Sequence, residues 1–127
     1  MSSCPFCDLD PSRIIMASKT AIAFRDAFPL TEGHTLVVPR QHVNSIYDLS
    51  AGEQGDLWAF VAKLRHLLAE QLNVKAFNIG INDGAAAGQT IEHAHVHLIP
   101  RRLGDVDDPR GGIRHIIPGK ARYWSTS

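Results

Sequence analysis

The chain has two cysteines in 127 residues, 7% aromatic side chains and no net charge, with Lys plus Arg at 13 and Asp plus Glu at 13. Each shortage excludes something. Cys4 and Cys7, spaced C-x-x-C, are too few for a disulfide framework, and a bridge between them would close a trivial loop. In a cytosolic protein that spacing points to metal binding or redox chemistry. Zero net charge removes the positive field on which non-specific nucleic-acid binding depends, so no nucleic-acid partner is expected and phosphate recognition must be local. No apolar run approaches the length of a bilayer span, so no membrane partner is expected. The N-terminal Met1-Ser-Ser-Cys-Pro-Phe-Cys has no basic segment followed by an apolar one, hence no visible secretory signal, and a cytoplasmic protein is the expectation.

What is present is core material. Hydrophobic residues make up 44%, in a length that suits one domain over residues 1–127. Ser50 and Glu53 have the spacing of a capping box. Behind them Leu57, Phe60, Val61, Leu64, Leu67, Leu68 and Leu72 recur at helical spacing, with Lys63, His66 and Glu70 opposite. Trp58, Ala62, Arg65 and Ala69 form a separate flank, suited either to a covering loop or to a second subunit. Short β-like runs lie on both sides of this helix: Arg13–Ala17, Ala21–Asp26, His34–Arg40, Phe77–Asn82 and His93–Pro100. Ser18-Lys19-Thr20 is short enough for a hairpin. Strands before and after a helix, rather than alternating with it, predict an α+β fold with a mainly antiparallel five-stranded sheet, one long helix and a short helix. Pro109, Gly111, Gly112, Pro118 and Gly119 predict an irregular C-terminal tail over 104–127.

The most informative segment is Glu92-His93-Ala94-His95-Val96-His97-Leu98-Ile99-Pro100. Side chains alternate along a strand, so His93, His95 and His97 share one face, about 6–7 Å apart at each step of two residues, and Ala94, Val96 and Leu98 share the other. Two chemistries compete. A His-x-His pair can place two nitrogens on one zinc. Alternatively, a neutral imidazole can attack phosphorus and form a covalent intermediate. The loop Asn82-Asp83-Gly84-Ala85-Ala86-Ala87-Gly88-Gln89-Thr90 favours the second, because small residues let backbone N–H groups approach a phosphate closely.

These residues resemble the histidine triad (HIT) family, whose signature is His-φ-His-φ-His-φ-φ with φ apolar; here it is His93-Ala94-His95-Val96-His97-Leu98-Ile99. Gly88-Gln89-Thr90 precedes it at the family spacing. Ala23-Phe24-Arg25-Asp26 resembles the family's ribose-binding segment, and Gly33-His34-Thr35-Leu36-Val37-Val38-Pro39 its fourth-histidine strand. The resemblance implies cleavage at the α-phosphorus of a nucleoside 5′-phosphate derivative through a nucleotidyl-histidine. His95 would be the nucleophile, with His97 and His34 on the phosphate. Gln89 and Thr90 would approach the phosphate and leaving group, beside Gly88. Asp26 would take the ribose hydroxyls, Asn82 the phosphate-to-sugar region, and Phe24 would line a pocket for a purine base. A homodimer is also implied. The rival readings are a hydrolase with zinc inside the triad and a nucleotide sensor without turnover.

A structural zinc needs four ligands, and no third cysteine exists, so two histidines must complete a site on Cys4 and Cys7. By resemblance to bacterial family members with the same N-terminal C-x-x-C, these are His42 and His93. A redox pair and two inert thiols are the alternatives. From Arg101 to Arg122 six basic side chains face three acidic ones, which suits either a solvated tail or a cationic flap over a polyphosphate leaving group.

Overall fold

A computed structural model describes residues 4–125. Its five strands are β1 (Ile14–Ala17), β2 (Ala21–Arg25), β3 (Thr35–Pro39), β4 (Ala76–Gly80) and β5 (Val96–Arg101), and its one long helix is α1 (Ala51–Leu72). The strands form a single sheet in the order β1-β2-β3-β5-β4 with every neighbouring pair antiparallel, as expected for the α+β class. The short helical segments beside α1 are single 3-10 turns, at Pro11–Arg13, Ile46–Asp48, Ala85–Ala87 and Gly112–Ile116. No helix among the described residues is long and apolar enough to cross a membrane.

The local chemistry explains where α1 starts and stops. Ser50 Oγ accepts from the Glu53 amide at 3.1 Å while Glu53 Oε1 accepts from the Ser50 amide at 2.9 Å, so two otherwise unpaired donors are satisfied reciprocally. Asn73 ends the helix in a left-handed conformation, φ 53°, and its amide turns back to the carbonyls of Ala69 and Glu70. Leu57, Phe60, Val61, Leu64 and Leu68 are buried against Ala21, Ala23, Val37, Ala94, Val96 and Leu98. Leu67 and Leu72 are half-buried at the border of that face.

β2 and β3 are buried at nearly every position, which one packed face cannot explain. Ala21, Ala23 and Val37 meet the helix, while Ile22, Phe24, Leu36 and Val38 lie on the opposite face. That second face is covered by the N-terminal segment, which contributes Cys4, Phe6 and Leu9, together with Ile91. The sheet is therefore a middle layer between α1 and the segment that carries both cysteines.

The histidine segment departs from the expected strand. Regular pairing begins only at Val96, because the Ala94 amide donates to the Val43 carbonyl at 2.8 Å, in the loop after β3, instead of continuing the ladder. His93, Ala94 and His95 thus approach the sheet as an extended lead-in. Of the other strand ends, the end of β1 at Ala17 and the start of β2 at Ala21 fall where expected and the rest differ by one or two residues.

The tail beyond Gly104 folds on itself. Arg101 holds Asp105 at 2.7 and 2.9 Å and Asn78 Oδ1 at 2.6 Å. Arg110 pairs with Asp108 and lies 4.4 Å from the Trp124 ring centre. Arg114 donates to the carbonyls of Lys120 and Ala121 and covers Tyr123. Three of the six cations between Arg101 and Arg122 are therefore committed within the chain. Residues 126–127 of the tail lie outside the described residues.

Candidate active site

Four histidines meet at the junction of β3, β5 and the lead-in to β5. His34 stands immediately before β3. Gly33 delivers it through a backbone φ of 92°, which an L side chain resists, and a Cβ at that position would run into the Leu72 side chain. His34 is 2% exposed. Its Nδ1 lies 3.0 Å from the Leu30 amide, and an amide can only donate, so Nδ1 accepts. Burial lowers the pKa of His34, opposed by the Asp26 charge, so the ring is neutral and its single proton sits on Nε2.

That proton has a defined destination. His34 Nε2 lies 2.9 Å from His97 Nδ1. His97 is itself held neutral, its pKa pushed down to about 4 by burial and then by repulsion from His95 and His34, with Asp26 opposing. Accepting at Nδ1, a neutral His97 carries its proton on Nε2. A directional chain therefore runs from the Leu30 amide through His34 to His97 and leaves His97 Nε2–H as the ring's available donor.

His95 has the opposite polarity. Its Nδ1 lies 2.9 Å from the His93 carbonyl, which can only accept, so the proton is on Nδ1 and the lone pair on Nε2. The rings of His95 and His97 are 5.1 Å apart at 62°. A nitrogen lone pair and a hydrogen-bond donor thus belong to neighbouring rings, the tautomer of His95 fixed by the His93 carbonyl and that of His97 by His34.

His93 faces the other way, 1% exposed, with Nε2–H donated to the Pro39 carbonyl at 2.8 Å and Nδ1 left with a lone pair. Cys4 Sγ is 3.4 Å and Cys7 Sγ 3.6 Å from that Nδ1, and His42 Nδ1 is 3.1 Å from Cys7 Sγ. The ligand atoms of Cys4, Cys7, His42 and His93 all lie within 4.8 Å of one another, so these four residues could hold a metal ion. Sulfur and nitrogen ligands at zinc bond lengths around a tetrahedral centre stand about 3.5–3.6 Å apart, which these separations approach. The Pro39 carbonyl supplies the outer partner that fixes a ligating imidazole. The turn is set for sulfur ligation as well, since the Cys7 amide points at Cys4 Sγ, 3.4 Å away.

The remaining expected residues are placed as follows. Gln89 uses its side chain within the loop: Oε1 accepts from the Gly84 amide at 2.9 Å, and Nε2 donates to the carbonyls of Asn44 and Ile91 at 2.8 and 3.0 Å. It fastens the small-residue loop to the segment after β3. Gly88 closes the loop's 3-10 turn at φ 100°, and Asn82 and Thr90 are exposed on it. Asp26 Oδ1 accepts from the Phe28 amide at 2.9 Å and Oδ2 lies 3.5 Å from His34 Nε2. Phe24, 1% exposed, is covered by Phe6 and Arg13 and presents no open face for a base.

One residue at the site was not legible from the sequence. Phe6, between the two cysteines, is buried against His95, His93 and Phe24. The only available signal was that a C-x-x-C turn carried an aromatic residue inside it.

An antiparallel sheet with four imidazoles at one junction, one ring presenting a lone pair and its neighbour a proton, and a loop of small residues preceding them in the chain, defines a histidine-triad fold and site. The chain belongs to the histidine triad family: the HIT domain model matches residues 9–104. It is 38% identical over 97 residues to the asymmetrical bis(5′-nucleosyl)-tetraphosphatase of Schizosaccharomyces pombe, covering 76% of this chain and 53% of that protein. It is 36% identical over 99 residues to the bifunctional bis(5′-adenosyl)-triphosphatase/adenylylsulfatase of Arabidopsis thaliana, covering 78% and 55%. The chain thus spans about half the length of these curated relatives. Among solved structures, a zinc-bound histidine triad family protein from Mycobacterium smegmatis superposes with a TM-score of 0.74 at 35% identity, covering 81% of this chain and 78% of that one.

Proposed function

We propose that this protein is a nucleotide hydrolase or transferase that attacks the α-phosphorus of a nucleoside 5′-phosphate derivative with His95 and then hydrolyses the nucleotidyl-histidine. The observation that carries the reading is the 2.9 Å contact of His95 Nδ1 with the His93 carbonyl, which keeps the proton on Nδ1 and leaves Nε2 as the nitrogen that can attack. In the first step the Nε2–P bond forms and the bond from phosphorus to the leaving group breaks, the electron pair departing with the leaving group. The proton stays on Nδ1, hydrogen-bonded to the His93 carbonyl, so the nucleotidyl ring is cationic and is a good leaving group. Water then attacks phosphorus and gives up a proton to solvent, the N–P bond breaks with its electron pair returning to Nε2, and His95 is regenerated with its proton on Nδ1. His97 Nε2–H stabilises the equatorial oxygens in both steps, and His34 keeps His97 in the donating tautomer.

The names of the two curated relatives favour a dinucleoside polyphosphate over a nucleoside phosphoramidate, with a purine base. Asp26 accepts from the ribose hydroxyls, Asn82 and Thr90 contact the sugar–phosphate side, and Gln89 holds the loop in shape. Zinc bound by Cys4, Cys7, His42 and His93 would be structural, since all four positions are protein ligands. The half-exposed Trp58 flank of α1 supports a homodimer.

A second reading has one observation behind it: Asp26, His34 and His97 also cluster within ligand reach of a common ion. The 2.9 Å His34–His97 separation argues against it, because two nitrogens on one tetrahedral zinc stand about 3.3 Å apart, whereas 2.9 Å is a hydrogen-bond length. Rapid acid-free quenching after mixing with a dinucleotide labelled at the α-phosphate tests the proposal. Label bound to protein, labile to acid and absent from His95→Asn, is expected. Turnover retained by His95→Asn would refute it.

A further inference from the structure

Two side chains bear directly on the His95 ring. His97 stands on one side, and Phe6 meets it edge-to-face on another, with ring centres 5.2 Å apart at 76°. Phe6 belongs to the turn Cys4-Pro5-Phe6-Cys7, and only 8% of it is exposed. The same phenyl touches the His93 ring at 5.8 Å and 73°, and rests on Phe24 at 5.3 Å. Phe6 lies in the turn between the two sulfurs of the candidate metal site, and in space it links a nitrogen ligand of that site, His93, to the nucleophile, with Phe24 beneath it.

A single hydrogen bond at Nδ1 does not fix an imidazole plane, because the ring can still rock about the Cβ–Cγ bond while the bond bends. An in-line attack needs the Nε2 lone pair aimed at phosphorus, and a displacement of about 1 Å can reduce the rate roughly a hundredfold. The phenyl ring against His95 is what limits that rocking. We propose that Phe6 is a positioning residue: the turn held by the Cys4–Cys7–His42–His93 centre presses its ring against His95 and keeps the nucleophile in its attacking orientation. The centre thereby reaches the nucleophile twice, through the His93 carbonyl that accepts its Nδ1–H hydrogen bond and through the phenyl that blocks its swing. This inference rests on His95 being the nucleophile.

The test uses the full metal-loaded chain with Phe6→Ala and Phe6→Leu. Phe6→Ala opens a void beside His95 and is expected to lower kcat about 10- to 100-fold with KM changed less than threefold. Phe6→Leu refills most of the volume and is expected to recover kcat to within about fivefold of the parent. A residue that only lined a base slot would move KM instead. The independent readout is the His95 Nδ1–H signal in a proton–nitrogen spectrum, sharp in the loaded parent. It is expected to broaden in Phe6→Ala, and to broaden likewise when the parent's metal is removed by a chelator. Metal removal from Phe6→Ala should then add little, since both perturbations act on one contact. An unchanged kcat in Phe6→Ala, or a His95 signal indifferent to both perturbations, overturns the proposal. Should Phe6→Ala not fold, a Phe6→Leu protein with parental kcat and an unaltered His95 signal after metal removal overturns it equally. Full activity in His95→Asn would instead sink the underlying mechanism, so the two failures are distinguishable.

Discussion

His34 offers a perturbation whose two chemically similar replacements should behave differently. Its Nδ1 accepts from the Leu30 amide at 3.0 Å and its Nε2 donates to His97 at 2.9 Å. The Oδ1 of asparagine reaches about as far as Nδ1, whereas the terminal amide of glutamine reaches about as far as Nε2. His34→Asn therefore keeps the Leu30 bond and loses the donor to His97. His34→Gln keeps the donor and loses the Leu30 acceptor. Without its donor, His97 is free to place its proton on Nδ1 and offer phosphate a lone pair in place of an N–H. Removing one preorganised donor costs about 10²–10³ in kcat, and tautomer release removes it only part of the time, so His34→Asn is expected to lose about 10–10². His34→Gln should stay within about fivefold of the parent kcat but lose about 1 kcal/mol of stability, the value of one hydrogen bond at an amide that water can reach. Steady-state kinetics on a dinucleoside polyphosphate and urea unfolding supply both numbers. Equal kcat losses in the two variants, or a greater loss in His34→Gln, would refute the directional chain.

Three further outcomes follow from the same structure. His97 has its pKa lowered to about 4 while an unfolded histidine titrates near 6.5, so below about pH 6.5 the unfolded chain binds a proton that the native chain refuses. Stability should therefore fall on acidification, by up to about 2 kcal/mol between pH 7 and pH 5, and a His97→Gln protein unfolded in urea should show a shallower fall; an identical pH profile would contradict this. Protein purified without added metal should carry about one equivalent of zinc, and its removal should lower stability by about 4 kcal/mol where free zinc exceeds Kd a thousandfold; metal analysis that finds only a trace, or a melting point indifferent to chelator, would count against the site. Gly33→Ala should cost about 1–3 kcal/mol from its positive φ, and more if Leu72 cannot shift, as read by thermal unfolding; a neutral result would mean that the turn before His34 relaxes freely.

What the sequence disclosed, and what it hid, divide along the range of the interactions. The start of α1 was legible because a capping box is local: Ser50 and Glu53 satisfy each other across three residues. The strands were legible because β-branched and apolar residues alternate with turn residues, and the imidazole row because its period of two was written out. The start of β5 was not, since the bond that withholds His93–His95 from the ladder comes from Val43, fifty residues earlier. Gln89 looked like a free donor because the Asn44 carbonyl that occupies it is equally remote in sequence. Phe6 stayed hidden because C-x-x-C draws attention to its sulfurs, while the burial of Phe6 depends on the sheet's second face needing cover. The tail's arginines read as a cationic surplus because a charge count shows neither which acids they pair with, Asp105 with Arg101 and Asp108 with Arg110, nor the uncharged partners, Asn78, Trp124 and backbone carbonyls, that also hold them.

The claim beneath all of this is that His95 bonds to phosphorus, and stereochemistry tests it most directly. Each in-line displacement inverts the phosphorus centre, so two displacements restore it. A dinucleotide bearing a chiral α-phosphorothioate, hydrolysed in isotopically labelled water, should yield a nucleoside phosphorothioate with retained configuration. Inversion would mean that water attacks the substrate directly and that His95 never forms the bond.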